Sequence, residues 1–225
     1  MTDAGTTTQT EPGLQGVTAA AGFRAAGVTA GLKTSGKPDV ALVVNDGPDA
    51  AVAAVFTSNR AQAHPVIWSR QVVGDGVARA VVLNSGGANC FTGPFGFQTT
   101  HLTAEAVGDA LGIGAGDVVV CSTGLIGVGD QSFRDNVLRG VDLASAALSD
   151  DGGPDAATAI MTTDTKAKQS VVTEDGWTVG GMAKGAGMLA PGLATMLVVI
   201  TTDAVQTPDQ LDQALRAATR ITFDR

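Results

Sequence analysis

Three stretches of this chain are apolar at nearly every position instead of every second one: residues 39–45 (DVALVVN), 118–121 (VVVC) and 196–202 (MLVVITT). A strand of that kind is covered on both faces, so it belongs to a layered body and not to a single sheet facing water. Two further β-branched runs, 51–57 (AVAAVFT) and 79–84 (RAVVLN), read as strands, and 178–183 reads as extended and glycine-rich. Asn45-Asp46-Gly47-Pro48 closes the first run with strong turn chemistry. Between the strands, residues 98–111 carry helical apolar spacing through Leu102, Ala106, Val107 and Ala110. Asp130 is placed to cap a helix over 131–148, a polar break follows at 149–154, and 155–161 is long enough for one or two helical turns. Thr207-Pro208-Asp209 supplies an N-cap, an N1 proline and a first-turn acid for a final helix reaching about residue 219. Strands and helices mix without strict βα alternation. The expectation is therefore an α+β layered sandwich, sheets packed with outer helices, and not a doubly wound parallel sheet.

Composition narrows the function classes. Only 16% of residues are charged, against about 25% in an average globular chain, which suits a thick body with much buried backbone. The 30 glycines are scattered through apolar runs, so they predict tight turns and close backbone approaches and not a linker. The net charge of −8, with no basic stripe to offset it, argues against nucleic acid and anionic membrane surfaces as partners. No stretch approaches the roughly 18 apolar residues of a membrane span. Cys90 and Cys121 form neither a CxxC nor a metal-ligand spacing, so no metal is expected. Residues 1–15 read as a polar disordered leader without an apolar signal-peptide core, which makes the cytoplasm the default location. Residues 16–225 read as one α+β domain.

The most informative stretch is 180–202, GGMAKGAGMLAPGLATMLVVITT. A glycine-rich segment carrying one lysine runs into Pro191-Gly192, then Leu193-Ala194-Thr195, then a buried strand. One reading is structural: a strand–turn–strand crossing whose glycines permit close packing and whose threonine sits in the sheet. The other is chemical. A threonine held between a turn and a rigid strand can press its hydroxyl on the Ala194 carbonyl, and an N→O acyl shift with hydrolysis would free Thr195 as a new N-terminus. Its α-amine, with an ordinary pKa of about 7.7–8.0, can then serve as general base for its own hydroxyl. Such a site needs no histidine. His64 and His101 lack metal-ligand partners at suitable spacing and read as structural, while Trp68 and Trp177 read as core or pocket walls. The glycine runs fit neither phosphate-binding fingerprint.

AKGAGMLAPGLATML resembles the cleavage-site motif of the ornithine acetyltransferase family, the bifunctional glutamate N-acetyltransferases of arginine biosynthesis. AGFRAAGVTAGLK (21–33), NSGGAN (84–89), CSTGLIG (121–127), AIMTTD (159–164) and WTVGGMAKGAGM (177–188) agree with that family in order. The resemblance runs from about Gly16 to the last residue. It implies the fold of the DmpA/ornithine acetyltransferase type. The implied activity is acetyl transfer from N2-acetyl-L-ornithine to L-glutamate through an acetyl-threonine, with acetyl-CoA as a further donor in some members and no cofactor. It marks Thr195 as the self-freed nucleophile, with cleavage between Ala194 and Thr195. Thr123 and Gly124 become the oxyanion-hole pair, and Thr162 and Lys184 bind substrate beside the nucleophile. The complete enzyme of the family is a heterotetramer of two alpha and two beta chains. On that pattern residues 1–194 are alpha-like and 195–225 begin an incomplete beta-like part, the fold being truncated in its second half.

Each assignment has a plainer counterpart: a strand-ending turn for Thr123-Gly124, a solvated surface cation for Lys184, a turn or helix-end residue for Thr162. Two whole-chain alternatives stand beside the transferase, a DmpA-like aminopeptidase that passes the acyl group to water and a folded non-catalytic fragment. One local departure is visible, because Cys90-Phe91-Thr92-Gly93 stands where the family usually has Ala-Cys-Thr-Gly. The oxyanion assignment further requires that the turns after 118–121 and before 196–202 meet at one pocket.

Overall fold

The computed structural model describes residues 7–9, 14–187 and 195–224. Two four-stranded sheets carry the architecture. The first consists of β2 (Phe23–Val28), β3 (Val40–Asn45), β4 (Ala80–Gly87) and β5 (Val118–Leu125), in that order. Its strands pair antiparallel except β4 and β5, which run parallel across a helical crossover. The second sheet is ordered β1 (Thr7–Gln9), β6 (Lys168–Glu174), β7 (Trp177–Lys184) and β8 (Leu197–Thr202), antiparallel throughout.

Alternation along the first sheet explains its double cover. Val40, Leu42, Val44, Val82, Val118 and Val120 face one way and pack on Ala104 and Val107 of helix α2 (Gly93–Leu111) and on Val141 and Ala144 of α3 (Gln131–Ala146). Ala25, Ala41, Val43 and Leu83 face the other way, against Ala156, Ala157, Ala159 and Ile160 at helix α4 (Gly153–Ala159) and against Met182 and Val199 of the second sheet. The small residues on this side bring backbones together. A Cβ on Gly27 would overlap the carbonyl of Asp155, so only glycine lets α4 lie this close to β2.

β5 is an edge strand, and helix α1 (His64–Val72) closes it. The buried Ser69 hydroxyl donates to the Val120 carbonyl at 2.7 Å and accepts the Val120 N–H at 2.9 Å. The Trp68 indole donates to Val118 O at 2.9 Å. One helix face thus satisfies backbone groups that an open edge would leave to water or to another strand.

Several expectations need correcting. Residues 51–57 form no strand. Beyond the isolated pairing of Ala51 with Val77 they run as irregular chain, because β3 is already flanked by β2 and β4. β8 is covered on one face only: Val199 and Thr201 are buried while Ile200 is half exposed, since no described helix covers the outer face of the second sheet. Within the expected leader, Thr7–Gln9 pairs with Val171–Thr173 of β6, whose edge accepts a threonine-rich segment of high strand preference. Trp177 is partly exposed at the tip of the β6–β7 hairpin and is not a core residue. Phe91 stands 73% exposed, so the departure at 90–93 places an aromatic ring on the surface.

Ser69→Ala removes the partner of a buried N–H and a buried C=O while changing little volume. The expected cost is about 1–3 kcal/mol in chemical denaturation with the fold retained, against a change near zero for an exposed position of the same helix such as Gln71→Ala.

Candidate active site

Residues from both sheets converge at the end of β5. In the parallel β4–β5 pair, Asn84 stands opposite Ser122, Ser85 opposite Thr123 and Gly86 opposite Gly124, so NSGGAN and CSTGLIG lie side by side. Their side chains lock the pair. The Ser122 hydroxyl donates to Asn84 Oδ1 at 2.6 Å, and Asn84 Nδ2 donates to Gly87 O at 2.9 Å. Gly124 has φ +132°, and a Cβ there would lie 2.5 Å from the Gly86 carbonyl carbon, so no other residue fits. Thr123 is buried and Gly124 is exposed, which leaves the end of β5 open to solvent beside a sheltered hydroxyl.

Lys184, the last residue of β7, reaches across from the second sheet and donates from Nζ to Thr123 Oγ1 at 3.0 Å. Lys184 is only 5% exposed, which overturns the solvated-cation reading. Burial pushes its ammonium pKa down, the Asp164 charge pushes it up, and the Lys168 charge lowers it again. Among the described residues no carboxylate lies within ion-pair distance of Lys184. A buried ammonium in that position favours the arrival of an anionic partner.

Thr162 lies in the exposed connection between α4 and β6, and its N–H donates to Asp164 Oδ2 at 3.3 Å. Asp164 has a fully buried side chain. Its Oδ1 accepts the Gly185 N–H at 2.9 Å and pairs with Lys168 Nζ. Thr195 is exposed and precedes Leu197 by two residues; Leu197 is the register partner of Lys184. Ala194 lies outside the described residues, as does the rest of the 188–194 stretch of the cleavage motif.

Of the residues singled out from the sequence, the structure joins Thr123 to Lys184 directly and places Gly124 next to them. Asp164, Lys33 and Ser85 were quoted within motifs without a role. Ser85 Oγ donates to Ala159 O at 2.6 Å, and Lys33 Nζ donates to the same carbonyl at 3.2 Å, fixing the point where the chain leaves α4 for Thr162. Burial lowers the Lys33 pKa, with Asp39 opposing and Lys37 and Lys184 adding to the drop. A signal for the two charged residues was present: they stand in apolar or threonine-rich runs of a chain poor in charge.

Burial alone would push the Asp164 carboxyl up, but the Lys168 hydrogen bond, the Gly185 and Thr162 N–H donors and the Lys168 charge hold it down at about 2. A carboxyl lowered on folding adds stability that is present above its unfolded value of about 3.9 and is lost as pH falls through the folded value. That contribution is on the order of 2 kcal/mol. Between about pH 4 and pH 2, Asp164→Asn should therefore show a flatter loss of stability than the parent chain in denaturant titrations.

Comparison with known proteins follows the same residues. Residues 24–225 match the ArgJ family. The chain is 68% identical over 209 residues to the arginine biosynthesis bifunctional protein ArgJ of Streptomyces coelicolor, covering 93% of this chain and 54% of that protein. It is 60% identical over 219 residues to the protein of the same name from Mycobacterium leprae, covering 94% of this chain and 53% of that one. The chain thus spans about half the length of these relatives. Among solved structures, the ornithine acetyltransferase of Mycobacterium tuberculosis complexed with ornithine superposes with a TM-score of 0.77 at 54% identity, covering 85% of this chain and 100% of that one. ArgJ from Bacillus halodurans superposes with a TM-score of 0.71 at 31% identity, covering 85% and 99%. Sequence and architecture agree: the chain belongs to the ArgJ family.

Proposed function

We propose that this chain supplies the acyl-transfer centre of an arginine-biosynthesis acetyltransferase that moves the acetyl group of N2-acetyl-L-ornithine to L-glutamate. The observation that carries the reading is the 3.0 Å hydrogen bond from Lys184 to Thr123, which joins two motifs from different sheets at one point. The ornithine bound to the Mycobacterium tuberculosis relative and the biosynthetic name shared by the Streptomyces and mycobacterial relatives support the substrate class.

In this reading Thr195 is the nucleophile. Buried residues alternate along β8, and Thr195 falls two residues ahead of Leu197 on that alternation, at the Lys184 end of the sheet. Self-cleavage between Ala194 and Thr195 frees its α-amine. That amine takes the hydroxyl proton as Oγ attacks the acetyl carbonyl, and the carbonyl π pair moves onto oxygen. The Thr123 hydroxyl and the Gly124 N–H donate to that oxyanion, each such donor being worth about 2.7–4 kcal/mol in the transition state. Collapse breaks the C–N bond, and the leaving amine of ornithine takes the proton. The glutamate amine then attacks acetyl-Thr195, and the reverse sequence releases N-acetylglutamate and restores the hydroxyl. Lys184 donates one hydrogen to Thr123 and has two left for a substrate carboxylate. Thr162 lines the same approach. No cofactor takes part, the cytoplasm is the compartment, and the complete enzyme is an α2β2 heterotetramer.

Three measurements test this. Mass spectrometry of the purified chain should show cleavage between Ala194 and Thr195, and Thr195→Ala should abolish it. N-acetylglutamate should form only once the remaining length carried by the relatives is supplied, so robust transfer by the 225-residue chain alone would show that the substrate site has been misplaced. Release of acetate without N-acetylglutamate would turn the reading to a DmpA-like hydrolase. In the completed enzyme Lys184→Met should raise KM for both amino-acid substrates by at least about tenfold, as expected for a lost charge-assisted contact. Unchanged KM would remove Lys184 from the substrate site.

A further inference from the structure

We propose that Asp164 is the positioning residue of this site, a single carboxylate that ties the backbone at Thr162 to the backbone beside Lys184 and so aims the lysine at Thr123. The inference rests on the functional reading of Thr162 and Lys184 given above.

The geometry is a clasp between the α4–β6 connection and the end of β7, in which the Asp164 carboxylate bonds backbone groups of both. Oδ2 of Asp164 takes the Thr162 N–H, and Oδ1 takes the Gly185 N–H, one residue after Lys184. Lys168, paired to the same Oδ1, also donates to Gly185 O at 2.8 Å, so both backbone groups of Gly185 are held. The Thr163 hydroxyl donates to Ala186 O at 2.8 Å. Gly185 has φ +146°, so the chain bends away from β7 at the point where the carboxylate grips it. The other end of the Thr162 segment is fixed at Ala159 O by Ser85 and Lys33. With the far end held, Asp164 and the Thr163–Ala186 bond set the position of Thr162 relative to Lys184, and Asp164 is the one of the two that bonds Thr162 itself.

Charge supports the same assignment. Lys184 feels the fields of Asp164 and Lys168, and it acts in turn on Lys33. One buried carboxylate therefore faces three ammonium groups. It favours the protonated form of Lys184 without closing on it as an ion pair, which leaves the cation available to a substrate carboxylate. The backbone donors that satisfy this buried acid belong to Thr162 itself and to the residue after Lys184, so the bonds that stabilise the carboxylate also place both proposed substrate contacts.

The test uses the enzyme completed to the length of its relatives, with Asp164→Asn, Asp164→Glu, Lys168→Gln and Lys184→Met compared. Selective 13C labelling of lysine gives the titration midpoint of Lys184, assigned by its loss in Lys184→Met. Steady-state kinetics give KM and kcat for N-acetylornithine. Asp164→Asn should lower the Lys184 midpoint by about one pH unit or more and raise KM at least about tenfold, as expected from misplaced binding groups, with Asp164→Glu recovering part of both. Lys168→Gln should shift the midpoint in the opposite direction, and it remains informative if the asparagine variant does not fold. A midpoint and KM within twofold of the parent in folded Asp164→Asn would overturn the proposal, as would an unmoved midpoint in Lys168→Gln. If Lys184→Met raises KM and Asp164→Asn does not, the positioning role fails alone. If Lys184→Met leaves KM unchanged, the functional reading fails first.

Discussion

The hydrogen bond from Lys184 to Thr123 is a side-chain joint between two sheets that also meet through apolar side chains, α4 and the turn at Gly16–Thr18. Apolar packing fixes how far apart layers sit, yet it is non-directional and tolerates small slides. A bond between a buried ammonium and a buried hydroxyl has direction, and it gains strength where water is excluded. Around this bond the structure spends an unusual share of its scarce charge. Lys33, Asp164, Lys168 and Lys184 lie within one network in a chain whose charged residues are few. The rest of the body supports that network: α2 and α3 cover the far face of the first sheet, and α1 closes its edge.

The division of labour between strands explains why the site falls where it does. β4 and β5 are the only parallel pair in the first sheet among the described residues, and both end at the same side, where their glycines admit close backbone approach. Antiparallel neighbours would have pointed their ends in opposite directions. The parallel pair instead delivers NSGGAN and CSTGLIG to one rim, which β7 reaches from the second sheet with its last residue.

Much of this was legible in the sequence where one residue type has one physical use. Asp130 caps α3 by accepting the Phe133 N–H, and Thr207 caps helix α5 (Pro208–Ile221), as the spacing predicted; beyond that expectation, Gln210 adds a reciprocal bond to the cap. Those signals are local, so tertiary context did not alter them. Strand membership is not local. Residues 51–57 have the composition of a strand but pair only through Ala51 with Val77, whereas Phe23–Val28, with arginine, alanine and glycine, becomes one by pairing along its whole length with β3. β6 was not expected, although Asp175-Gly176 between the paired Glu174 and Trp177 is a two-residue hairpin signal. Helix α1 was missed because Val66, Ile67 and Trp68 disguise it, though Pro65 marks its first turn. The site motifs were visible through resemblance, yet the chemistry of their contacts was not. Nothing in AIMTTD or WTVGGMAKGAGM says that the aspartate of one grips the chain beside the lysine of the other.

The glycine and alanine seam between β2 and α4 has a mechanical consequence. Side chains with several rotatable bonds act as springs, and a layer seated on them can shift by fractions of an ångström at little cost. Ala25, Gly27, Ala156 and Ala157 offer no such compliance, because backbone rests nearly on backbone. The seam behaves as a hard stop that transmits displacement instead of absorbing it. α4 leads directly to the carbonyl of Ala159 and then to Thr162, so a single added methyl at position 27 would be felt at the rim of the first sheet, far from the atom that was changed.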